Sequence, residues 1–316
     1  MLKERGFYRG VNLGGWLSQC DYSPERLQGF ITEEDFDVIS SWGLDHVRLP
    51  VDYNVVQRPD GTMIGEGLEL LDRILGWCEK YGLRAVLDLH KTQGFSFDAE
   101  EGEKGFFESE RYQESFFTLW ESFAGRYGSM PDRVAFDLLN EVTEKRFLEP
   151  WMKIARDCIR RVRSFAPDTV ILLGSYHHNG AREVTELDPP FDRNVVYNFH
   201  CYEPLKFTHQ GAYWDTGLNP EDRFSFEESG SSEELFDGLM GPAAEKAARE
   251  HTELYCGEYG VIDVVPPEEA LKWFRAIHRA FEKYGISRSA WSYRNMDFGL
   301  ADPRMDGVRK ELLRCL

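Results

Sequence analysis

No stretch of the chain approaches the roughly 20 consecutive apolar residues that a membrane-spanning helix needs, so a membrane is not expected as a partner. No basic patch offsets the formal net charge of −18, which repels nucleic acid and anionic lipid alike; the acidity itself reads as a source of solubility. Cysteines are few. Cys20, Cys78, Cys158, Cys201, Cys256 and Cys315 form no CxxC pair and no Cys/His metal spacing, which argues against a disulfide framework and for reduced thiols in a cytoplasmic protein. The opening run MLKERGFYRGVNLGGW carries neither the apolar core nor the cleavage site of an export signal, and supports the same expectation.

Local signatures of cofactor chemistry are missing too. The RGVNLGGWL segment is glycine-rich without GxGxxG spacing, which disfavours a doubly wound nucleotide-binding sheet. No HExxH or comparable spacing joins histidine to glutamate, and Ser175 in GSYHH lacks the final glycine of a nucleophile elbow. His177 and His178 in that segment read as loop residues with no catalytic duty. No cofactor and no metal are expected.

What is present is a regular alternation of short apolar runs with amphipathic stretches, eight pairs in all, which predicts a single (β/α)8 barrel domain over residues 1–316. The strands are expected at Tyr8 to Asn12, His46 to Leu49, Ala85 to Leu89, Ala135 to Leu139, Val170 to Leu173, Val195 to Phe199, Leu254 to Gly257 and Ser289 to Trp291. Helices are clearest at Thr32 to Trp42, Leu68 to Tyr81, Gln113 to Tyr127, Trp151 to Phe165 and Glu268 to Tyr284, the last ending at Gly285. The longest irregular segment, Cys201 to Gly241, is expected to be a substrate loop, because Phe207, His209, Tyr213, Trp214, Phe224 and Phe226 are too many aromatics for a disordered one.

Reactive groups of such a barrel sit where strands run into the following loops. Those positions hold Asn12, Arg48, His90, Asn140, Glu141, His200, Tyr202, Glu258 and Trp291. Glu141 and Glu258 follow the fourth and seventh strands, across the barrel from one another, as glycosidic cleavage requires: one carboxyl protonates the leaving oxygen while the other attacks the anomeric carbon or activates water. Asn140 offers an amide to a sugar hydroxyl. Arg48 and Tyr202 are expected to keep Glu258 ionised, whereas Glu141, as the proton carrier, is expected to have a raised pKa. His90 and His200 are placed to touch sugar or carboxylates, and Trp291 to stack on a sugar face, with core filling as its alternative.

With these residues in place the chain resembles glycoside hydrolase family 5, the cellulase-like family. The resemblance rests on RGVNLGGWL, DHVRLPVDY, VLDLHK, FDLLNEV, YNFHCYEP, YCGEYGVI and AWSYRNMDF, spanning Arg9 to Phe298 in the family's order. It implies a (β/α)8 fold, retention of configuration, no metal, Glu141 as acid/base and Glu258 as nucleophile. It further implies Arg48, His90, Asn140, His200, Tyr202 and Trp291 as the supporting set, with carboxyl groups about 5 Å apart. Where many endoglucanases of the family carry a second His after the strand-three His, this chain has His90-Lys91. Lys91 could serve a sugar hydroxyl or an acidic substituent, or be a solvated loop charge, and Trp214 in HQGAYW joins the substrate-binding set. The expected partner is a β-linked oligosaccharide or polysaccharide, with β-1,4-gluco-configured substrates as the first reading and an exo-β-mannosidase as the second. A carbohydrate-binding protein on an inactive barrel is the non-enzyme reading, disfavoured by the presence of both glutamates.

Overall fold

The computed structural model describes residues 1–215 and 217–316. Eight parallel strands close on themselves in chain order: β1 Arg9–Asn12, β2 His46–Asp52, β3 Arg84–Lys91, β4 Val134–Asp137, β5 Ile171–Gly174, β6 Val195–Cys201, β7 Leu254–Tyr259 and β8 Ser287–Ala290. This is the (β/α)8 barrel that the alternation predicts. Nearly every strand residue is buried, because one face meets the helices and the other fills the barrel.

Helices of nine residues or more follow β1, β2, β3, β4, β6 and β7: Glu33–Ser41, Gly65–Lys80, Glu110–Tyr127, Leu148–Val162, Glu233–Arg249 and Pro267–Tyr284. Their ends carry the signals that set them. Asp35 accepts from the Thr32 backbone N–H at 2.8 Å to close a capping box, and Gly285 ends the last helix at φ 64°, a left-handed conformation that glycine adopts without steric cost.

Two expectations need correction. The eight strand–helix pairs are not uniform: β5 is followed only by a 3-10 turn, Arg182–Glu186, and β8 by the four-residue helix Arg309–Leu312. Pro189 and Pro190 lie in the β5–β6 connection, where proline denies the backbone donors that a longer helix needs. The irregular segment after β6 is also shorter than Cys201 to Gly241, since a helix begins at Glu233. Gly238, Gly241 and Pro242 obscure it in the sequence, yet Ser232 caps it by accepting from Leu235 N at 3.1 Å, and Phe236, Leu239, Met240, Ala243 and Ala247 bury one face. Packing of that face outweighs the unfavourable propensities.

The barrel interior changes character along its axis. At the N-terminal end Val86, Ala135, Val170, Leu172, Val196 and Tyr255 form an apolar plug closed from below by Leu2 and Phe7. Residues two apart on a strand share a face, so β3 lifts the series Val86, Asp88, His90 inward, and β6 the series Val196, Asn198, His200. Each climbs from an apolar foot to an imidazole at the rim.

Candidate active site

Arg48 is the hub of the upper half. It lies in the middle of β2, which runs three residues further than the sequence suggests, and its side chain is fully buried. Its guanidinium donates from Nε to Asp137 Oδ2 at 3.0 Å, from one terminal nitrogen to Asn12 Oδ1 at 3.0 Å and Glu258 Oε1 at 2.7 Å, and from the other to Asn140 Oδ1 at 3.0 Å. Asp88 Oδ1 lies 3.1 Å from that second nitrogen. Burial disfavours the cation, but Asp88, Asp137 and Glu258 together more than offset this and hold Arg48 charged. One cation facing three carboxylates leaves an excess of negative charge. Asp137 relieves it: burial first, and then the charge of Asp88, push its carboxyl up to about 6 against the pull of Arg48.

Glu258 reaches this hub through an irregularity of β7. Tyr255 belongs to the inner plug and Cys256 to the outer core, so unbroken alternation would turn Glu258 outward. The β6–β7 ladder slips instead, with Phe199 opposite Cys256 and His200 opposite Glu258. The extra residue, Gly257, re-aims Glu258 into the barrel. A Cβ on Gly257 would come within 2.7 Å of Asn198 Oδ1 and 2.9 Å of His200 Nε2, so a side chain there would displace both. Glu258 then accepts from Arg48 at 2.7 Å and from the Tyr202 hydroxyl at 2.8 Å. Burial, and then the charges of Glu258 and Glu141, raise the Tyr202 phenol well above its ordinary range, so it stays a donor.

Glu141 stands beyond the end of β4, which stops at Asp137, on a run tied to β3 by the bond from Asn140 N to Leu89 O at 3.0 Å. Its φ of 45° is left-handed, a conformation that costs a non-glycine residue roughly 1–2 kcal/mol and holds the side chain at the rim. His200 Nδ1 bonds its Oε1 at 2.7 Å, and His178 Nδ1 its Oε2 at 3.2 Å. Burial acts to raise this carboxyl, but the hydrogen bonds from His178 and then His200 outweigh it and hold Glu141 well below the usual carboxylate range. This direction is opposite to the raised pKa expected of a proton carrier. The neighbouring negative charge on which that expectation rested is answered by two imidazoles, one of them on a loop to which the sequence reading gave no duty.

The two glutamates face each other across His200, whose Nδ1 is 2.7 Å from Glu141 Oε1 and 3.7 Å from Glu258 Oε2. An oxygen of one carboxylate lies within 4.8 Å of an oxygen of the other. That matches direct attack by a carboxylate, for which the groups stand about 5–5.5 Å apart, and not the roughly 6.5–9.5 Å that leaves room for an attacking water. Among the described residues, Glu141, His200 and Glu258 are the one cluster with the spacing of metal ligands. Their donor atoms are already engaged with each other, His178, Tyr202 and the Arg48 cation, which suits a carboxylate pair better than a divalent ion.

His90 Nδ1 bonds Asp88 Oδ2 at 2.7 Å, and this carboxylate raises the imidazole pKa despite burial, which acts to lower it. Trp291, only 6% exposed, stacks parallel to His90 with ring centres 5.8 Å apart, so it fills space and also presents a wall to the site. His90 Nε2 and Asn140 Nδ2 are buried without a protein partner, positions that sugar hydroxyls can satisfy.

Trp214 is 44% exposed on the β6 loop and meets Tyr213 edge to face at 4.7 Å. It connects to Tyr202, the partner of Glu258, through His209, which packs against Trp214 at 6.4 Å and Tyr202 at 5.0 Å and is held neutral by burial, with a pKa of about 4.

Lys91 differs from both of its sequence readings. The alternation that turns His90 inward turns Lys91 away from the barrel interior, where Nζ meets Tyr22 OH at 2.8 Å, Glu101 Oε2 at 3.2 Å and Asp52 Oδ2 at 3.5 Å. It is a buried tie between the β1 and β3 loops, engaged by protein groups and neither free for a sugar nor solvated. The residues that the sequence reading missed are Asp88, Asp137, Asn198 and His178. Asp88, Asp137 and Asn198 are polar interruptions of apolar strands on the inward parity, a signal that was available. His178 carries no such mark.

The cellulase family, glycosyl hydrolase family 5, matches this chain over residues 8–297. Cellodextrinase A of Ruminococcus flavefaciens is 55% identical over 288 residues, covering 91% of this chain and 86% of that protein. Endoglucanase C of Acetivibrio thermocellus is 34% identical over 337 aligned positions, covering 98% of each. The crystal structure of endoglucanase Cel5A from the hyperthermophilic Thermotoga maritima superimposes with a TM-score of 0.85 at 25% identity, covering 99% of this chain and 98% of that one.

Proposed function

We propose that this chain, which belongs to glycosyl hydrolase family 5, hydrolyses short, soluble β-1,4-linked gluco-oligosaccharides by double displacement. Glu258, held in place by Arg48 and Tyr202, attacks the anomeric carbon while a proton passes from Glu141 to the leaving oxygen. Glu141 then takes a proton from the water that releases the sugar from Glu258, and configuration is retained. The observation that carries this reading is the approach of the two carboxylates to within 4.8 Å, each with its own partners. A binding protein would need neither that approach nor the buried arginine behind it.

The preference for oligosaccharides over insoluble polymer draws on the relative named cellodextrinase and on Trp291 and Trp214, which offer two aromatic faces to a chain of few sugars. Lys91 lends no support to a manno-configured substrate, because its ammonium is tied to Tyr22, Asp52 and Glu101. Action on oligosaccharides already inside the cytoplasm completes the proposal, supported by six free cysteines, five of them buried. Product analysis on parallel series of cello- and manno-oligosaccharides tests it. Cellotriose and cellotetraose should be cut faster than carboxymethylcellulose and far faster than mannotriose. Turnover confined to manno-oligosaccharides, or faster on the polymer, would overturn the substrate assignment.

A further inference from the structure

The turn after β5 is built in a way that the fold alone does not require. His177, His178 and Asn179 take φ values of 55°, 54° and 56°, three consecutive left-handed residues without a glycine among them. Single residues visit this region and runs of them are disfavoured by roughly 1–2 kcal/mol each, so something must hold the run in place. The holders are the loop that carries Glu141 and strand β6. His177 N and His178 N both donate at 3.1 Å, to Thr143 O and Val142 O just beyond Glu141, and Asn179 O accepts from His200 N at 2.7 Å. The turn therefore bridges the strand end bearing Glu141 and the strand bearing His200, and the side chain it delivers between them is His178, with Nδ1 3.2 Å from Glu141 Oε2 and about half its surface in solvent.

From this geometry we infer that His178 is a positioning residue for the acid/base, and that it stores the proton which Glu141 hands to the leaving oxygen. The Glu141 carboxyl is buried, whereas His178 reaches solvent, so a proton on His178 Nδ1 lies one hydrogen bond, 3.2 Å, from Glu141 Oε2. In the first step the proton on Nδ1 passes to Glu141 Oε2 as the Nδ1–H bond breaks, and the carboxyl so formed delivers a proton to the glycosidic oxygen, while the C–O bond to the leaving group breaks and the bond from the anomeric carbon to Glu258 forms. In the second step water gives its proton to Glu141 and its oxygen to the anomeric carbon, the bond to Glu258 breaks, and the proton returns to Nδ1. The sum is glycoside plus water giving two sugars, with His178 regenerated.

The surroundings favour a proton there. Glu141 at the end of β4 bonds His178 directly, and Glu258 on β7 adds negative charge; together they raise the imidazole pKa above its ordinary value although burial opposes them. His200 on β6 donates to the other oxygen of Glu141. His177 and Glu183 pair with each other at 3.2 Å on the far side, and in the β4 loop Glu144 and Lys145 are engaged by Arg146 and Glu186. Solvent access lets His178 re-equilibrate with water between turnovers.

The inference rests on the double-displacement reading of Glu141 and Glu258, and its test is separable from that reading. His178→Asn keeps a donor near Nδ1 and a residue type that tolerates positive φ, but has no titrating proton. On cellotriose, whose leaving group needs a proton, the basic limb of kcat/KM against pH should move to lower pH by at least about one unit, with a loss of roughly tenfold or more at pH 7. On a dinitrophenyl cellobioside, whose leaving group needs none, the glycosylation burst of the same variant should keep most of its rate. NMR titration of the wild-type His178 imidazole should give a midpoint that coincides with the basic limb. An unshifted limb in folded His178→Asn, or a His178 midpoint away from the limb, would overturn the inference. Failure of the underlying reading would appear elsewhere, as wild-type-like turnover of cellotriose by Glu141→Ala or Glu258→Ala.

Discussion

The two carboxylates to which the proposed mechanism assigns attack and proton transfer sit within 4.8 Å of each other in opposite kinds of surroundings. Glu258 is held by Arg48 and Tyr202, groups whose protonation does not change near neutral pH: the first is held charged by three carboxylates, the second held protonated by burial and negative neighbours. Glu141 is held by two imidazoles, and one of them, His178, reaches solvent. A nucleophile must present the same anion in every turnover, whereas an acid/base must gain and lose a proton in each. The difference in partners supplies this division of labour, and the carboxyl groups themselves are chemically the same.

The comparison breaks first at Glu258. Glu258→Ala should lose turnover on the order of 10⁴-fold or more even with activated aryl glycosides, because no leaving group compensates for a missing nucleophile. Steady-state kinetics on a dinitrophenyl cellobioside check this, and a loss below about a hundredfold would remove Glu258 from that role. Arg48→Met tests the fixed partner. It leaves Asp88, Asp137 and Glu258 without their cation, and breaking a buried ion pair in this way costs about 3–5 kcal/mol. Urea unfolding should show that loss together with at least about a hundredfold drop in kcat, while native stability would contradict the hub assigned to Arg48.

Tyr202→Phe removes one charge-directed hydrogen bond from Glu258, worth about 1.5–3 kcal/mol, so kcat/KM should fall by roughly 10- to 100-fold with the pH profile nearly unmoved. A displaced basic limb in this variant would show that Tyr202, too, acts through the proton carrier.

Stability against pH sharpens the contrast on the Glu141 side. His178 has a raised folded pKa, so the stability it contributes is complete below its ordinary value of 6.5 and is lost as pH rises through the folded value. Glu141 has a depressed one, so its share is present above 4.5 and is lost as pH falls toward the folded value. The pair therefore contributes most between those ordinary values. Asp137, raised from 3.8 to about 6, acts in the opposite sense to Glu141 and removes stability as pH climbs through that window. Thermal melts of His178→Asn should lose the decline above pH 6.5, and an unchanged decline would assign it to other groups.

Lys91→Met carries the smallest effect. Its ammonium is tied to Tyr22, Glu101 and Asp52, so cello-oligosaccharide kinetics should stay within about threefold of wild type while the melting temperature falls. A large rise in KM would return Lys91 to the substrate.

The barrel was legible because period-2 and helical patterns alternate through the chain, and both glutamates because they follow the fourth and seventh strand patterns. The hub behind them was only half legible. Arg48 stood out in HVRLP, while its partners Asp88 and Asp137 were passed over as single acids inside VLDLHK and FDLLNEV, although the parity that placed His90 inward places Asp88 there too. The same parity sends Lys91 away from the interior. Two features had no sequence signature. The slip at Gly257 that turns Glu258 inward depends on the neighbouring strand, and the left-handed turn that brings His178 to Glu141 is imposed by the β4 loop and strand β6. The helix Glu233–Arg249 was hidden for a different reason, since its glycines and proline argue locally against a helix that its buried face stabilises.

The central claim is that Glu258 attacks and Glu141 carries the proton, and the stereochemistry of azide rescue tests it most directly. Each alanine variant is supplied with an activated β-cellobioside and azide, and the product is read by NMR. Glu258→Ala should give the glycosyl azide of inverted configuration, because the anion enters the space left by the nucleophile. Glu141→Ala should accumulate glycosyl-enzyme and release it to azide with net retention. Retained product from Glu258→Ala with inverted product from Glu141→Ala would exchange the two roles and contradict the account.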